Sequence, residues 1–251
     1  MISQTLLDKL LELRLTAFRE GLREQSSNPQ YADLSFEERL LLLVDLECTH
    51  RSGSRIKRRL KLADFPMSAT IEDLDFSPER GLDRRTILEL AQCSWIDKAL
   101  NILILGATGT GKTFLASSFG VAACRLGFSV RYVRTSRFLH SLAQARQDGS
   151  YLNLLRSLNK ADVLILDDWM RDPIQLSAAQ DLLEVFDDRF GKTATLIVSQ
   201  VPVADWHLRF PDPTLGDAIL DRIIHNAYRL SLLGDSQRKL RGNRTMPHTD
   251  V

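Results

Sequence analysis

An α/β domain built on a central five-stranded parallel sheet flanked by helices, preceded by a small all-helical N-terminal domain, is the architecture this 251-residue sequence predicts. Three observations predict it. From residue 101 onward, short apolar runs of strand length alternate with helical stretches, the order that builds a parallel sheet covered on both faces. The first of those runs ends in a glycine-rich loop that opens a helix. Before residue 65, apolar residues recur at helical spacing only.

Residues 2–24 carry Ile2, Leu6, Leu10, Leu13 and Ala17 beside a second row of Leu7, Leu11, Leu15, Phe18 and Leu22, which reads as one wide-faced amphipathic helix. Ser26-Ser27-Asn28-Pro29 breaks it, and Ser35 with Glu38 three residues later is a capping box opening a second helix through Leu40–Leu46. A third, short helix is expected after Gly53. Residues 1–65 are thus expected to form a helical DNA- or partner-binding domain and 66–251 the α/β domain, with 66–81 a linker packing on it. Strands are predicted at 101–105, 129–133, 163–166, 195–199 and 228–232, and helices at 112–126, 136–147, 151–159, 177–190 and 215–226. Residues 242–251 read as a frayed tail.

Composition narrows the class. Hydrophobic residues are 44% and charged residues 26%, which excludes a chain disordered throughout. Cys48, Cys93 and Cys124 are far apart and lack metal-ligand spacing, so neither a disulfide scaffold nor a structural metal is expected. There is no secretory signal pattern and no run approaching a membrane span, so a cytoplasmic protein is expected.

Gly106-Ala107-Thr108-Gly109-Thr110-Gly111-Lys112-Thr113 fits GxxxxGK[ST] between a predicted strand and a predicted helix, with Phe114 next along that helix. The glycines let successive N–H groups curl around a phosphate, and the helix N-terminus adds partial positive charge. Lys112 would reach the β- and γ-phosphates of ATP, and Thr113 would offer its hydroxyl to Mg²⁺. Val163–Leu166 followed by Asp167-Asp168 is the expected companion: a buried strand delivering one acid for the Mg²⁺ water shell and a second to deprotonate the attacking water. The same two acids could instead be solvated loop caps. Ser199, with Gln200 beside it, ends the next strand, where a side chain could read the γ-phosphate or merely serve the turn.

These motifs, with Ser199-Gln200-Val201-Pro202, Asp217–Ile223 and Gly234–Lys239, resemble the IstB-like insertion-sequence helper ATPases, in the DnaC-like initiator and helicase-loader branch of the AAA+ superfamily. The resemblance covers nearly the whole chain. It implies that Arg222 is an arginine finger acting on a neighbouring subunit's nucleotide and Arg238 a second basic residue near the γ-phosphate. Residue chemistry alone would read Arg222 as an exposed helix arginine in a local ion pair. One departure is Asp168, which stands where many AAA+ relatives carry the longer Glu, and it bears on the speed of hydrolysis.

The resemblance further implies ATP-driven homo-oligomerisation on duplex DNA, nucleotide at the subunit interfaces, and delivery or stimulation of an IstA-like transposase. Charge placement supports it. Net charge is only +1, but it is a cancellation: 161–190 is acid-rich, 113–147 carries five arginines and no acid, and no acid lies between Thr49 and Ala63. Arg51, Arg55, Lys57, Arg58, Arg59 and Lys61 form one candidate phosphate-contacting stripe, and Arg134 with Arg137 the second. The alternatives are a helicase loader of the DnaC/DnaI type, an ATP-bound DNA scaffold with little hydrolysis, and, most distantly, a small-molecule kinase.

Overall fold

The computed structural model describes residues 2–236, which divide into two compact units meeting between Arg58 and Arg59. Arg238 and the expected tail at 242–251 lie outside the described residues.

The first unit holds α1 (Gln4–Glu12), α2 (Thr16–Ser27) and most of α3 (Phe36–Ala63). The single helix expected over 2–24 is two. Arg14 takes φ +56°, its N–H bonds the Leu11 carbonyl at 2.9 Å and the Leu15 N–H the Leu10 carbonyl at 2.9 Å, a Schellman stop built without glycine. Tertiary contacts hold that stop: Arg51 donates to the Arg14 carbonyl at 3.1 Å, and Glu47 accepts the Phe18 N–H at 3.0 Å. The Ser35–Glu38 capping box forms as expected, with Ser35 N donating to Glu38 Oε2 at 2.8 Å. The helices expected on either side of Gly53 are one 28-residue helix. A mid-helix glycine costs only about 1 kcal/mol, too little to interrupt a helix whose end is packed.

The second unit is entered along α3, whose Leu60 and Ala63 belong to its core. The 64–80 segment is a packed strap, with Ala69, Ile71 and Leu74 buried and 3-10 turns at Ile71–Asp73 and Pro78–Arg80. α4 (Arg84–Ala91) and α5 (Ser94–Asp97) follow, neither of them expected from the sequence. The signal for α4 was there: Asp83 Oδ2 accepts the Thr86 N–H at 2.8 Å as an N-cap, and Ile87 and Leu90 share the buried face.

Then come β1 (Asn101–Gly106), α6 (Lys112–Leu126), β2 (Val130–Arg134), α7 (Thr135–Asp148), α8 (Tyr151–Asn159), β3 (Val163–Asp167), α9 (Leu176–Arg189), β4 (Ala194–Ser199), α10 (Pro213–Ile224) and β5 (Ala227–Leu232). All five strands are parallel, in the order β2-β3-β4-β1-β5. Side chains alternate across the sheet: Ile102, Ile104 and Ile165 join α4 and α6 in one core, while Leu103, Leu164 and Ile197 join α7, α9 and α10 in the other. Both faces are therefore dry, which explains why β1, β3 and β4 read as unbroken apolar runs. Arg189 is buried in the second layer and donates to the Leu158, Ala161 and Ala194 carbonyls at 2.6, 3.0 and 2.6 Å, while burial pulls its pKa down to about 10.

Candidate nucleotide site

The loop between β1 and α6 curls round one of its own carbonyls. Lys112 Nζ donates to the Ala107 oxygen at 2.8 Å and Thr110 Oγ1 to the same oxygen at 2.9 Å. Two glycines are demanded by what lies behind the loop. At Gly106, with φ +149°, a Cβ would stand 2.4 Å from the Leu232 carbonyl oxygen of β5, and at Gly111, with φ +93°, it would stand 2.9 Å from the Arg80 guanidinium. Thr108, Gly109, Gly111, Lys112, Thr113 and Phe114 line a cavity of about 320 Å³ at the N-terminus of α6, and Gly106, Ala107 and Thr110 shape the loop from behind. Backbone N–H groups and a helix dipole at a concave site make an anion receptor.

β3 carries its acid to the same cavity. Asp167 is 2% exposed, and its Oδ2 accepts from Thr113 Oγ1 at 2.8 Å and from the Tyr132 hydroxyl at 2.7 Å. Its Oδ1 accepts the Asp168 N–H at 2.8 Å. The carboxylate is held rigidly by three donors, and burial together with the bond to Asp167 pushes the Tyr132 phenol well above its ordinary value, keeping it protonated. Thr113 and Asp167, two hard oxygen donors in contact, fit Mg²⁺, an ion that takes one or two protein oxygens and completes its shell with phosphate and water. Asp168 takes φ +58°, which a short polar side chain tolerates, and its carboxylate stands on the cavity wall 3.8 Å from Arg171.

At the end of β4 the structure separates two neighbours that the sequence left together. Ser199 is fully buried, its Oγ donating to the Trp169 carbonyl at 2.7 Å and accepting the Val201 N–H at 3.0 Å, so it is not on the cavity wall and is not positioned as a γ-phosphate reader. Gln200 is on the wall, its Oε1 accepting from the Thr108 hydroxyl. β4 is buried along its whole length to Ser199, and Gln200 is the first residue beyond it.

Two arginines line the cavity that sequence reasoning put elsewhere or passed over. Arg134, expected on a DNA-facing stripe, ends β2 beside β3 and opens onto the nucleotide cavity. Arg80, from the strap, donates Nη2 to the Thr110 carbonyl at 2.7 Å. Nothing in Pro78-Glu79-Arg80-Gly81 distinguishes it from a solvated turn arginine.

Arg222 lies in the last turn of α10, ion-paired with Asp187 and donating Nη1 to the Ala218 carbonyl at 2.7 Å. Its own carbonyl accepts from Asn101 at 3.1 Å, at the start of β1. The phosphate loop leaves the other end of that strand, roughly 17 Å away at 3.3 Å per residue. Arg222 therefore does not reach the cavity of its own chain.

The expected basic stripes are thinned by pairing. Arg51 is engaged by Glu47 at 2.8 Å as well as by the Arg14 carbonyl. Arg125 lies 3.7 Å from Glu72, and Arg146 pairs with Asp181 and Glu184 of α9 while stacking 3.9 Å over Tyr151. The acid-rich segment thus folds back on part of the basic one. Arg59 is half-buried; Arg55, Lys57, Arg58 and Lys61 on α3, Arg131 on β2 and Arg137 on α7 are exposed, with no ion pair among the described residues.

A phosphate loop on the strand lying between β4 and β5, with its acid one strand beyond β4, gives this P-loop ATPase the AAA+ fold. The same fold occurs in AMPPCP-bound DnaA from Aquifex aeolicus, with a TM-score of 0.57 at 18% identity over 72% of this chain and 55% of that one. Residues 8–245 match the family described as IstB-like ATP binding protein, and the chain belongs to that family. An insertion sequence ATP-binding protein of Sinorhizobium fredii is 42% identical over 95% of this chain and 98% of its own length. The insertion sequence IS21 ATP-binding protein of Pseudomonas aeruginosa is 32% identical over 94% and 88%. No helix among the described residues is long and apolar enough to cross a membrane.

Proposed function

We propose that this protein is an ATP-dependent, largely sequence-nonspecific DNA-binding regulator of transposition, which oligomerises on duplex DNA and recruits or stimulates the transposase of its insertion sequence. The observation that carries the reading is the uncompensated run of exposed cations on α3, Arg55, Lys57, Arg58 and Lys61, in a protein whose relatives are insertion sequence ATP-binding proteins. Arg131 and Arg137 are further exposed cations of the second unit, whereas Arg51 is paired with Glu47 and Arg134 lies on the nucleotide cavity.

In the cavity, Lys112 would neutralise the β- and γ-phosphates, and Thr113 with Asp167 would hold Mg²⁺. Bound there, the ion would offset charge on the transferred phosphoryl group. Asp168 would take the proton of the attacking water, and Gln200 would orient that water against the γ-phosphate. A guanidinium such as Arg222, too far from its own cavity, would complete the site only from a neighbouring subunit, which makes hydrolysis depend on assembly. Arg238 keeps its expected role as a second basic residue near the γ-phosphate.

The test is binding to random-sequence duplex with and without ATP across a salt series, with particle size followed by sedimentation. If four to six cations meet phosphates, log K should fall by roughly 4–5 per decade of salt. Lys112→Ala should stay small on DNA, and addition of the transposase encoded beside the gene should give a larger complex. Absence of DNA binding with ATP at low salt would sink the reading.

A further inference from the structure

The strap side of the cavity holds a buried cation that the phosphate-loop motif does not account for. Arg80 has 8% of its side chain exposed and lines the same cavity as Lys112 and Thr113. Its Nη2 is satisfied by the Thr110 carbonyl at 2.7 Å. The nearest carboxylate is Asp75, 3.8 Å from Nη1 and itself half exposed, and Nε is buried with no partner among the described residues. A guanidinium carries five donors, and removing its charge from water is costly unless an anion and acceptors replace the lost hydration. Here one carbonyl and one distant acid do so incompletely, on the wall of a cavity shaped for a polyphosphate.

We propose that Arg80 is a nucleotide-binding residue that contacts the phosphates nearest the nucleoside of ATP and ADP, and that the bound nucleotide supplies its missing acceptor. The position along the ligand follows from the lining. Asp167, Asp168, Gln200 and Arg134 gather where β2, β3 and β4 end, the γ-phosphate end of the site, while Arg80 comes from the strap together with Met67, Leu74 and the carboxylates Asp73 and Asp75. The guanidinium also lies against Gly111, at the turn into α6. Its backbone is anchored independently: the Leu233 N–H donates to the Arg80 carbonyl at 3.0 Å, fixing the strap to the exit of β5. The residue is therefore held in place before any ligand arrives, the condition under which a charged hydrogen bond returns most affinity.

The experiment titrates fluorescent ATP and ADP into the full-length wild type, Arg80→Gln, Arg80→Lys and Lys112→Ala, and records each chain's melting temperature with and without saturating ADP. Arg80→Gln should weaken ATP and ADP alike, by about tenfold or more, with Arg80→Lys recovering part of the loss because the charge remains. The melting gain from ADP should shrink in Arg80→Gln, while the nucleotide-free melting temperature changes little. Equal affinity in wild type and Arg80→Gln, or an affinity loss not relieved by Lys and matched by a fall in nucleotide-free melting temperature, would overturn the proposal and leave Arg80 as a support for the loop. A loss confined to ATP would also overturn it, since that places the contact on the γ-phosphate. Should Arg80→Gln fail to fold, Arg80→Lys alone decides: with the fork lost, unchanged affinity for both nucleotides refutes the contact. Failure of the wild type to bind any nucleotide would instead refute the site itself, a distinct outcome.

Discussion

Replacing Ser199 by Ala and, separately, Gln200 by Ala should have opposite signatures, although the two residues are adjacent. The Ser199 hydroxyl is fully buried and serves two backbone groups, the Trp169 carbonyl at 2.7 Å and the Val201 N–H at 3.0 Å. Deleting it strands both. Each buried unsatisfied group costs about 1–3 kcal/mol, and with partial relaxation the sum is about 2–4 kcal/mol. At about 2–4 °C per kcal/mol for a domain of this size, melting should fall by roughly 4–16 °C. Gln200 is exposed, so its truncation should change stability by less than about 0.5 kcal/mol while slowing hydrolysis about tenfold or more. The assays are thermal melting by circular dichroism and phosphate release at 20 °C, with saturating ATP and duplex DNA. If Ser199→Ala melts like the wild type and hydrolyses nothing, while Gln200→Ala is destabilised and active, the assignment of the buried and reading roles is wrong.

Lys112→Ala should abolish nucleotide binding, whereas Asp167→Asn should bind ATP but lose Mg²⁺-dependent turnover; equal phosphate release in both and in the wild type would leave only a scaffold. Burial pushes the thiols of Cys93 and Cys124 up to about 12 and about 11 while Cys48 is exposed, so Ellman's reagent at pH 8 should titrate one thiol natively and three in denaturant. The raised values also fix a sign: above the ordinary thiol value of 9.0 the unfolded chain loses protons that the folded chain keeps, so this contribution lowers stability as pH climbs from 9 towards 11–12, visible as a falling denaturation midpoint. Gly106→Ala should fail to give a soluble nucleotide-binding protein, because its Cβ would lie 2.4 Å from a strand carbonyl; normal yield and affinity would show that β5 yields more easily than a paired strand should.

Most of the second unit was legible because its signals are local. Strands buried on both faces must be apolar throughout, helices must show a stripe, and the phosphate loop needs glycines at fixed spacing; each strand lies within a residue or two of its expected place. Two misses in the first sixty residues share a cause. The stop at Arg14 depends on Glu47 and Arg51, and the continuity of α3 through Gly53 on the packed Leu60 and Ala63 at its end, so local propensities of about 1 kcal/mol are overruled by contacts distant along the chain. Arg51, Arg125 and Arg146 looked like a basic face because their acids are distant in sequence or, for Glu47, on the preceding turn of the same helix.

By itself the sequence determined the chemistry: the loop at Gly106–Thr113 and the acid at Asp167 are specified by spacing and by the apolar strands that carry them, and together they define a nucleotide site. Tertiary structure alone decided which side chains line the cavity around it. It buried Ser199 and left Gln200 on the cavity wall, opened Arg134 onto the cavity, brought Arg80 in from the strap, and set Arg222 at the far end of β1. The reason is geometric. A strand of six residues separates its ends by more than any side chain can span, and the order β2-β3-β4-β1-β5 makes neighbours of residues tens of positions apart, a relation that no window along the chain contains.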